Sequence, residues 1–273
     1  MSHIELKVSD VSDEQLCYYR LQARNHAGLT GRLFINDVEV HRFTPDKSQI
    51  SCDNIQNWLM PGDNYLVISI TEDGSIDLDD ETPLYECALH GMTSPGIPDD
   101  TNCLWSISLE HSEKNFPMSR AWQFCFTSLQ VPSSQLWRNA EVVDVLNDND
   151  RNDIVALQNK LVLAFEDGKS DEVLKMYDFI LTEEASMLHD SEQIKSSQVI
   201  EEMEFLSDMT QQGLVKFTQQ DDVYFNHIVG NRVIQLCSDA GGATVTINGG
   251  EGEYIDLNIF ASRIDKEWHL VRR

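Results

Sequence analysis

The sequence predicts an α+β protein in two parts. An all-β sandwich or jelly roll is expected over residues 1–131, followed by a linker at 132–151 and an α+β domain over 152–273, three helices on a curved antiparallel sheet. Three observations carry this. Short β-rich runs broken by turn residues fill positions 3–130, whereas helical periodicity starts only near residue 152 and returns to strands after Gly213. All seven prolines (Pro45, Pro61, Pro83, Pro95, Pro98, Pro117 and Pro132) precede residue 133; proline suits loops and strand edges and breaks helix interiors. At 273 residues the chain is long enough for each part to bury a core of its own.

In the first part the expected strands are IELKV, QLCYYRLQA, GRLFI, VEVHRF, NYLVISI, LYECALHG, CLWSISLEH and AWQFCFTSL. Asn36-Asp37 joins two of them as a tight turn, because both side chains tolerate positive φ. Pro61-Gly62-Asp63-Asn64 is a second turn, with proline fixing φ and glycine relieving the Cβ clash. Together GRLFINDVEVHRF and DNIQNWLMPGDNYLVISI resemble the galactose-binding-like β-sandwich domains attached to many glycoside hydrolases. Asn36-Asp37 stands where that family usually has Asn-Gly, and Leu59, Gly62 and Asn64 match its Leu-x-x-Gly-x-Asn turn. The resemblance implies the sandwich and, as one role, a carbohydrate-binding accessory domain.

The densest acidic run is EDGSIDLDDE at 72–81. It lacks the residue order of a calcium loop, as does DNDRND at 148–153, where Asp153 replaces the required glycine and Asn159 the required glutamate. Asp77, Asp79, Asp80 and Glu81 are therefore read as an exposed contact surface for a basic partner, and 148–153 as linker that caps the next helix.

In the second part, Asn152 or Asp153 opens a helix with Ile154, Leu157, Leu161, Ala164 and Phe165 on one face and Gly168 at its end. Ser170, with Asp171 and Glu172 in the first turn, opens another whose buried stripe takes in Leu174 and Tyr177. ILTEEASMLHD is expected to leave that helix as a first strand. SSQVIEEMEFLSDM is the third helix, apolar at Val199, Met203 and Leu206, with Glu201, Glu202 and Glu204 on a solvated face. LVKFTQ, VYFNHIV, RVIQLC, ATVTI, YIDLNIFASRI and EWHLVR follow as strands, punctuated at Gly230-Asn231, Asp239 to Gly242 and Asn248-Gly249-Gly250. This order, and the closing IDLNIFASRIDKEWHLVRR, resembles the nuclear transport factor 2-like cone of the SnoaL and ketosteroid-isomerase group. That implies a pocket between helices and sheet, and dimerisation through the open sheet face as one possibility.

Net charge is −26, from 46 acidic and 20 basic side chains. Residues 1–150 carry 24 acids and 9 bases, so both parts are acidic. Such a field repels nucleic acid and anionic membrane and speeds encounter with basic proteins. The six cysteines (17, 52, 87, 103, 125 and 237) form no C-x-x-C, and most lie in apolar runs, as free thiols of a reducing compartment do. No signal-peptide pattern opens the chain and no run is apolar for long enough to span a bilayer, so a cytoplasmic location is expected.

Isomerases of the cone group move a proton with an acidic side chain while a tyrosine and a protonated acid steady the oxyanion. No segment here aligns with that motif, so the resemblance assigns no catalytic residue. The pocket candidates are Tyr177, His189, Phe225 and His227; a histidine there serves either as acid or base or as a hydrogen-bonded core residue. Nucleophile-elbow, phosphate-loop and H-E-x-x-H motifs are absent. No cofactor or metal is expected. The leading expectation is a non-catalytic, acidic protein-binding module, of the kind a bacterial toxin-immunity or secretion-associated accessory protein uses to cover a basic partner. A small-molecule binder or isomerase/hydratase-type enzyme built on the cone is the alternative.

Overall fold

A computed structural model describes residues 2–7, 16, 18–72, 83, 85–109, 119–129, 134–188, 192–212, 215–217, 222–238, 242–250 and 253–272. The chain contains both sheets and helices and divides into two compact units, Met1–Pro132 and Ser133–Arg273. Among the described residues no helix is long and apolar enough to cross a membrane.

The first unit is built from β1 (Ser2–His3), β2 (Tyr18–Asn25), β3 (Leu29–Ile35), β4 (Val38–Phe43), β5 (Gln49–Asn54), β6 (Asp63–Glu72), β7 (Tyr85–Met92), β8 (Cys103–Leu109) and β9 (Ser119–Thr127). They form two sheets, β1-β9-β6-β3-β4 and β5-β2-β7-β8. Side chains alternate between faces, so Tyr19, Leu21 and Ala23 of β2 are buried while Arg20, Gln22 and Arg24 face away from the core. Ring contacts join the two apolar faces: Phe43 meets Tyr85 edge-on at 6.1 Å and Trp105 lies 5.1 Å from Phe124. At the Asn36-Asp37 turn φ is 48° and 72°, as a tight hairpin with right-handed strand twist requires. Buried Asn36 also donates to Trp58 O and Asn64 Oδ1 and accepts from Tyr65 N.

Two features of this unit differ from expectation. The expected strand IELKV is not a strand over its described residues 4–7: the short β1 lies just before it, at Ser2–His3 alongside β9, and Ile4 N and Lys7 N donate singly to Cys125 O and Leu104 O. β5 was not expected, because its outward residues Ile50 and Cys52 and inward residues Ser51 and Asp53 mask the apolar–polar alternation.

The second unit opens with α1 (Leu136–Asn139), α2 (Asp148–Glu166), α3 (Ser170–Met176), α4 (Asp178–Leu188) and α5 (Glu192–Gln211). The strands are β10 (Val215–Phe217), β11 (Tyr224–Ile228), β12 (Val233–Cys237), β13 (Val245–Gly250), β14 (Glu253–Leu257), β15 (Ile259–Ile264) and β16 (Glu267–Arg272). They make a three-stranded sheet, β10-β13-β14, and a four-stranded one, β11-β12-β15-β16, rather than a single curved sheet. Ile154, Leu161 and Phe165 of α2, Ile180 of α4 and Leu206 of α5 share a core with Ile234, Leu236, Ala261 and Leu270 of the sheet.

Three corrections apply here. The segment 132–151 is not a linker from Ser133 onward: Leu136, Trp137, Val143 and Leu146 are buried in the second unit, and Glu141 N donates to Arg263 O. α2 starts earlier than Asn152, at Asp148, because Asn147 and Asp150 form a reciprocal capping box. The expected strand ILTEEASMLHD is helix α4 over its described length. Tyr177, Ile180, Leu181, Glu184 and Ala185 are buried at spacings of three, one, three and one, which is helical. Among the described residues, helices α1 to α5 therefore stand where three were expected.

Candidate functional site

Asp77, Asp79, Asp80 and Glu81 lie outside the described residues, as does His189. Tyr177 follows α3, where its N–H donates to Val173 O at 2.8 Å and its ring is buried in the core beside the α2 and α4 side chains. Phe225 and His227 project on the helix-facing side of β11, opposite the core residues Leu236 and Ile234. Arg151 of α2 lies over the Phe225 ring at 5.2 Å. His227 Nδ1 is buried, and no described carboxylate or hydroxyl hydrogen-bonds it. Tyr177 and Phe225 thus belong to one apolar interior, and His227 shares the strand face of Phe225.

A charged pair is buried inside this unit, at positions that no sequence pattern marks. Glu183 and Arg272 are both buried and approach to 3.5 Å. The Glu183 carboxylate also accepts from Ser134 Oγ, from Gln135 N at 2.9 Å and from Leu136 N at 3.2 Å, so it caps the first turn of α1. Arg272 donates to Val271 O and lies over the Trp137 ring at 5.5 Å. Burial pulls the Arg272 guanidinium below its usual basicity, against the opposing pull of Glu183 and Glu184. This network ties α1, α4 and β16 together.

The solvent side of α5 is ordered in a different way. Val199 and Leu206 face the core, while Glu201, Glu204 and Asp208, at spacings of three and four, form one exposed stripe. Ile200 and Phe205 flank it, 36% and 44% exposed. An acidic stripe with apolar borders attracts a cationic surface and also offers it apolar area to bury.

A trough lies on the outward face of the β5-β2-β7-β8 sheet. Register places Ile50, Arg24, Glu86 and Ser108 in one cross-strand row, and Cys52, Gln22, Ala88 and Ser106 in the next. The small side chains of Ala88, Ser106 and Ser108 leave a hollow of about 410 Å³ between the taller residues. Arg24 and Glu86 pair loosely across it at 3.4 Å, both half-exposed. One row further along, Arg20 stands between Asn54 and His90. Sequence reasoning recognised β2, β7 and β8 but neither β5 nor the trough, because only cross-strand register brings Arg20, Gln22 and Arg24 beside Glu86 and His90.

Cys52, Cys87, Cys103, Cys125 and Cys237 are free, and burial pushes the Cys87 thiol up so that it stays protonated. Among the described residues no group of acidic, histidine and cysteine side chains is arranged to hold a metal ion. Comparison with protein-family models, with curated proteins and with solved structures returns no match.

Proposed function

We propose that the chain is a non-catalytic, acidic protein-binding module that engages a basic protein. On this reading its first unit is a galactose-binding-like sandwich and its second a variant of the nuclear transport factor 2-like cone. The observation that carries the proposal is the α5 face, with Glu201, Glu204 and Asp208 between the exposed Ile200 and Phe205. Charge of −26 steers a cationic partner toward the chain, and the apolar borders supply the desolvated contact that steering alone lacks.

The test is capture from the native lysate on immobilised protein, washed at low and then high ionic strength, beside a Glu201→Lys/Glu204→Lys/Asp208→Lys variant. One basic protein, held stoichiometrically by the wild type, released by salt and not held by a variant that melts like the wild type, is the expected outcome. A Phe205→Ser variant is expected to weaken the same complex by at least about tenfold. Retention of no basic protein at low salt overturns the reading.

A further inference from the structure

β8 stands at one edge of the β5-β2-β7-β8 sheet. Among the described residues a single backbone group meets it from outside: Lys7 N donates to Leu104 O at 2.9 Å, near the start of the strand. A trans peptide points its C=O and the next N–H to opposite sides. With Leu104 O turned outward, Trp105 N–H turns toward β7. By alternation Ser106 and Ser108 then carry both N–H and C=O on the open side. The register shift with β7 falls between Cys103 and Trp105, so residues 105–109 run regularly.

An open edge is a template for another strand, and folds blunt it with charge, proline or shortness. The other sheet edges of this unit are blunted in that way. β1 has two residues, β4 carries Glu39, His41 and Arg42, and β5 carries Asp53, which lies 3.2 Å from His41. β8, with the sequence CLWSISL, has neither a charge nor a proline, in a chain of net charge −26.

The chemistry of this edge matches itself. A two-fold axis through Ile107 sets Ile107 against its own copy, Ser106 against Ser108 and Trp105 against Leu109. On one face apolar meets apolar. Trp105, Ile107 and Leu109 lie opposite the core residues Leu89, Cys87 and Tyr85 of β7, yet each is partly exposed at the edge. On the other face the exposed hydroxyls of Ser106 and Ser108 meet, and nothing bulky stands between the strands. In that register each Ser106–Ser108 pair exchanges two N–H···O bonds, which uses every group left open by β7.

We propose that β8 is a dimer edge, on which a second copy of the chain adds its own β8 antiparallel about Ile107 and joins two four-stranded sheets into one. The edge is separate from the α5 face, and either can fail alone. Salt acts on them in opposite senses: it loosens a basic partner from α5 and relieves the repulsion between two acidic copies.

Gel filtration with light scattering over a dilution series tests it. Twice the 31.1 kDa of one chain is expected, with dissociation on dilution and a tighter dimer in high potassium chloride than in low. Ser106→Pro removes an N–H that the β7 ladder does not use, and is expected to leave single chains. Two double variants change only exposed side chains, and are compared as proteins that melt like the wild type. Ser106→Lys/Ser108→Lys sets like charges opposite each other across the axis and is expected to weaken the dimer about tenfold. Ser106→Glu/Ser108→Lys sets unlike charges there and is expected to keep it. A single-chain mass at every concentration and salt, a dimer that withstands Ser106→Pro, or equal dissociation of the two double variants overturns the proposal.

Discussion

Asn36 and Asp37 both hold positive φ, 48° and 72°, in a region where a Cβ costs about 1–2 kcal/mol. Glycine removes that cost at either position, yet the two replacements are expected to act in opposite directions. Asp37 lies at the turn's tip, and among the described residues no side-chain hydrogen bond holds it; Asp37→Gly is therefore expected to stabilise the first unit by about 0.5–1 kcal/mol. The Asn36 side chain fixes Trp58 O, Asn64 Oδ1 and Tyr65 N at 2.7–2.9 Å and is buried. Asn36→Gly relieves the same backbone strain but strands those groups, a net loss of about 1–3 kcal/mol. Urea melts of the two variants read both signs, and equal signs would mean that the turn, and not the Asn36 network, dominates. The identity of the turn could be read from the Asn-Asp pair alone. The load carried by Asn36 could not, because its partners lie 22, 28 and 29 residues away.

Strands with clean alternation, such as β2 and β3, were legible because one apolar face is enough to fix their period. β5 and α4 were not, for related reasons. Each carries polar residues on its buried side, Ser51 in one and Glu183 and Glu184 in the other, and a pattern reader assigns those to solvent. In α4 the compensation comes from Arg272, 89 residues on in β16, and from backbone N–H groups at the start of α1. The acidic stripe of α5 was visible as a solvated helix face, whereas its borders at Ile200 and Phe205 and the trough across β5-β2-β7-β8 needed tertiary register. If α4 depends on its buried pair, Glu183→Ala takes the paired carboxylate from the buried Arg272 and is expected to cost about 3–5 kcal/mol. The double change Glu183→Leu/Arg272→Met removes the stranded charge and is expected to recover part of that loss. Recovery stays incomplete, because Ser134, Gln135 N and Leu136 N still lose their acceptor. Thermal melts of the single and double variants separate the two contributions, and a double variant no better than Glu183→Ala would assign the whole effect to the cap.

The division of the chain into units sets where it can be cut. Ser133–Arg273 includes the segment that composition alone marks as a linker, and that segment supplies three things the rest of the unit lacks. Leu136, Trp137, Val143 and Leu146 bury apolar side chains, each worth about 1.5–3 kcal/mol against exposure. Ser134 and the N–H groups of Gln135 and Leu136 satisfy the Glu183 carboxylate, and Asn147 caps α2 through Asp150 N. Arg263 is bound by Glu141 at 2.8 Å, and Asn231 by Asp144 at 2.9 Å, which pins the segment to the β11-β12 turn and to the end of β15. Domains are stable by only about 5–15 kcal/mol in total, so losing these terms together exceeds the margin. A fragment of residues 133–273 is expected to melt cooperatively with a fixed aromatic near-ultraviolet signal. A fragment of residues 152–273 is expected to keep helical content while losing that signal and the sharp transition, as chains do when collapse survives but specific packing does not. A sharp melt of 152–273 at the temperature of 133–273 would show instead that residues 133–151 ride on the unit without supporting it.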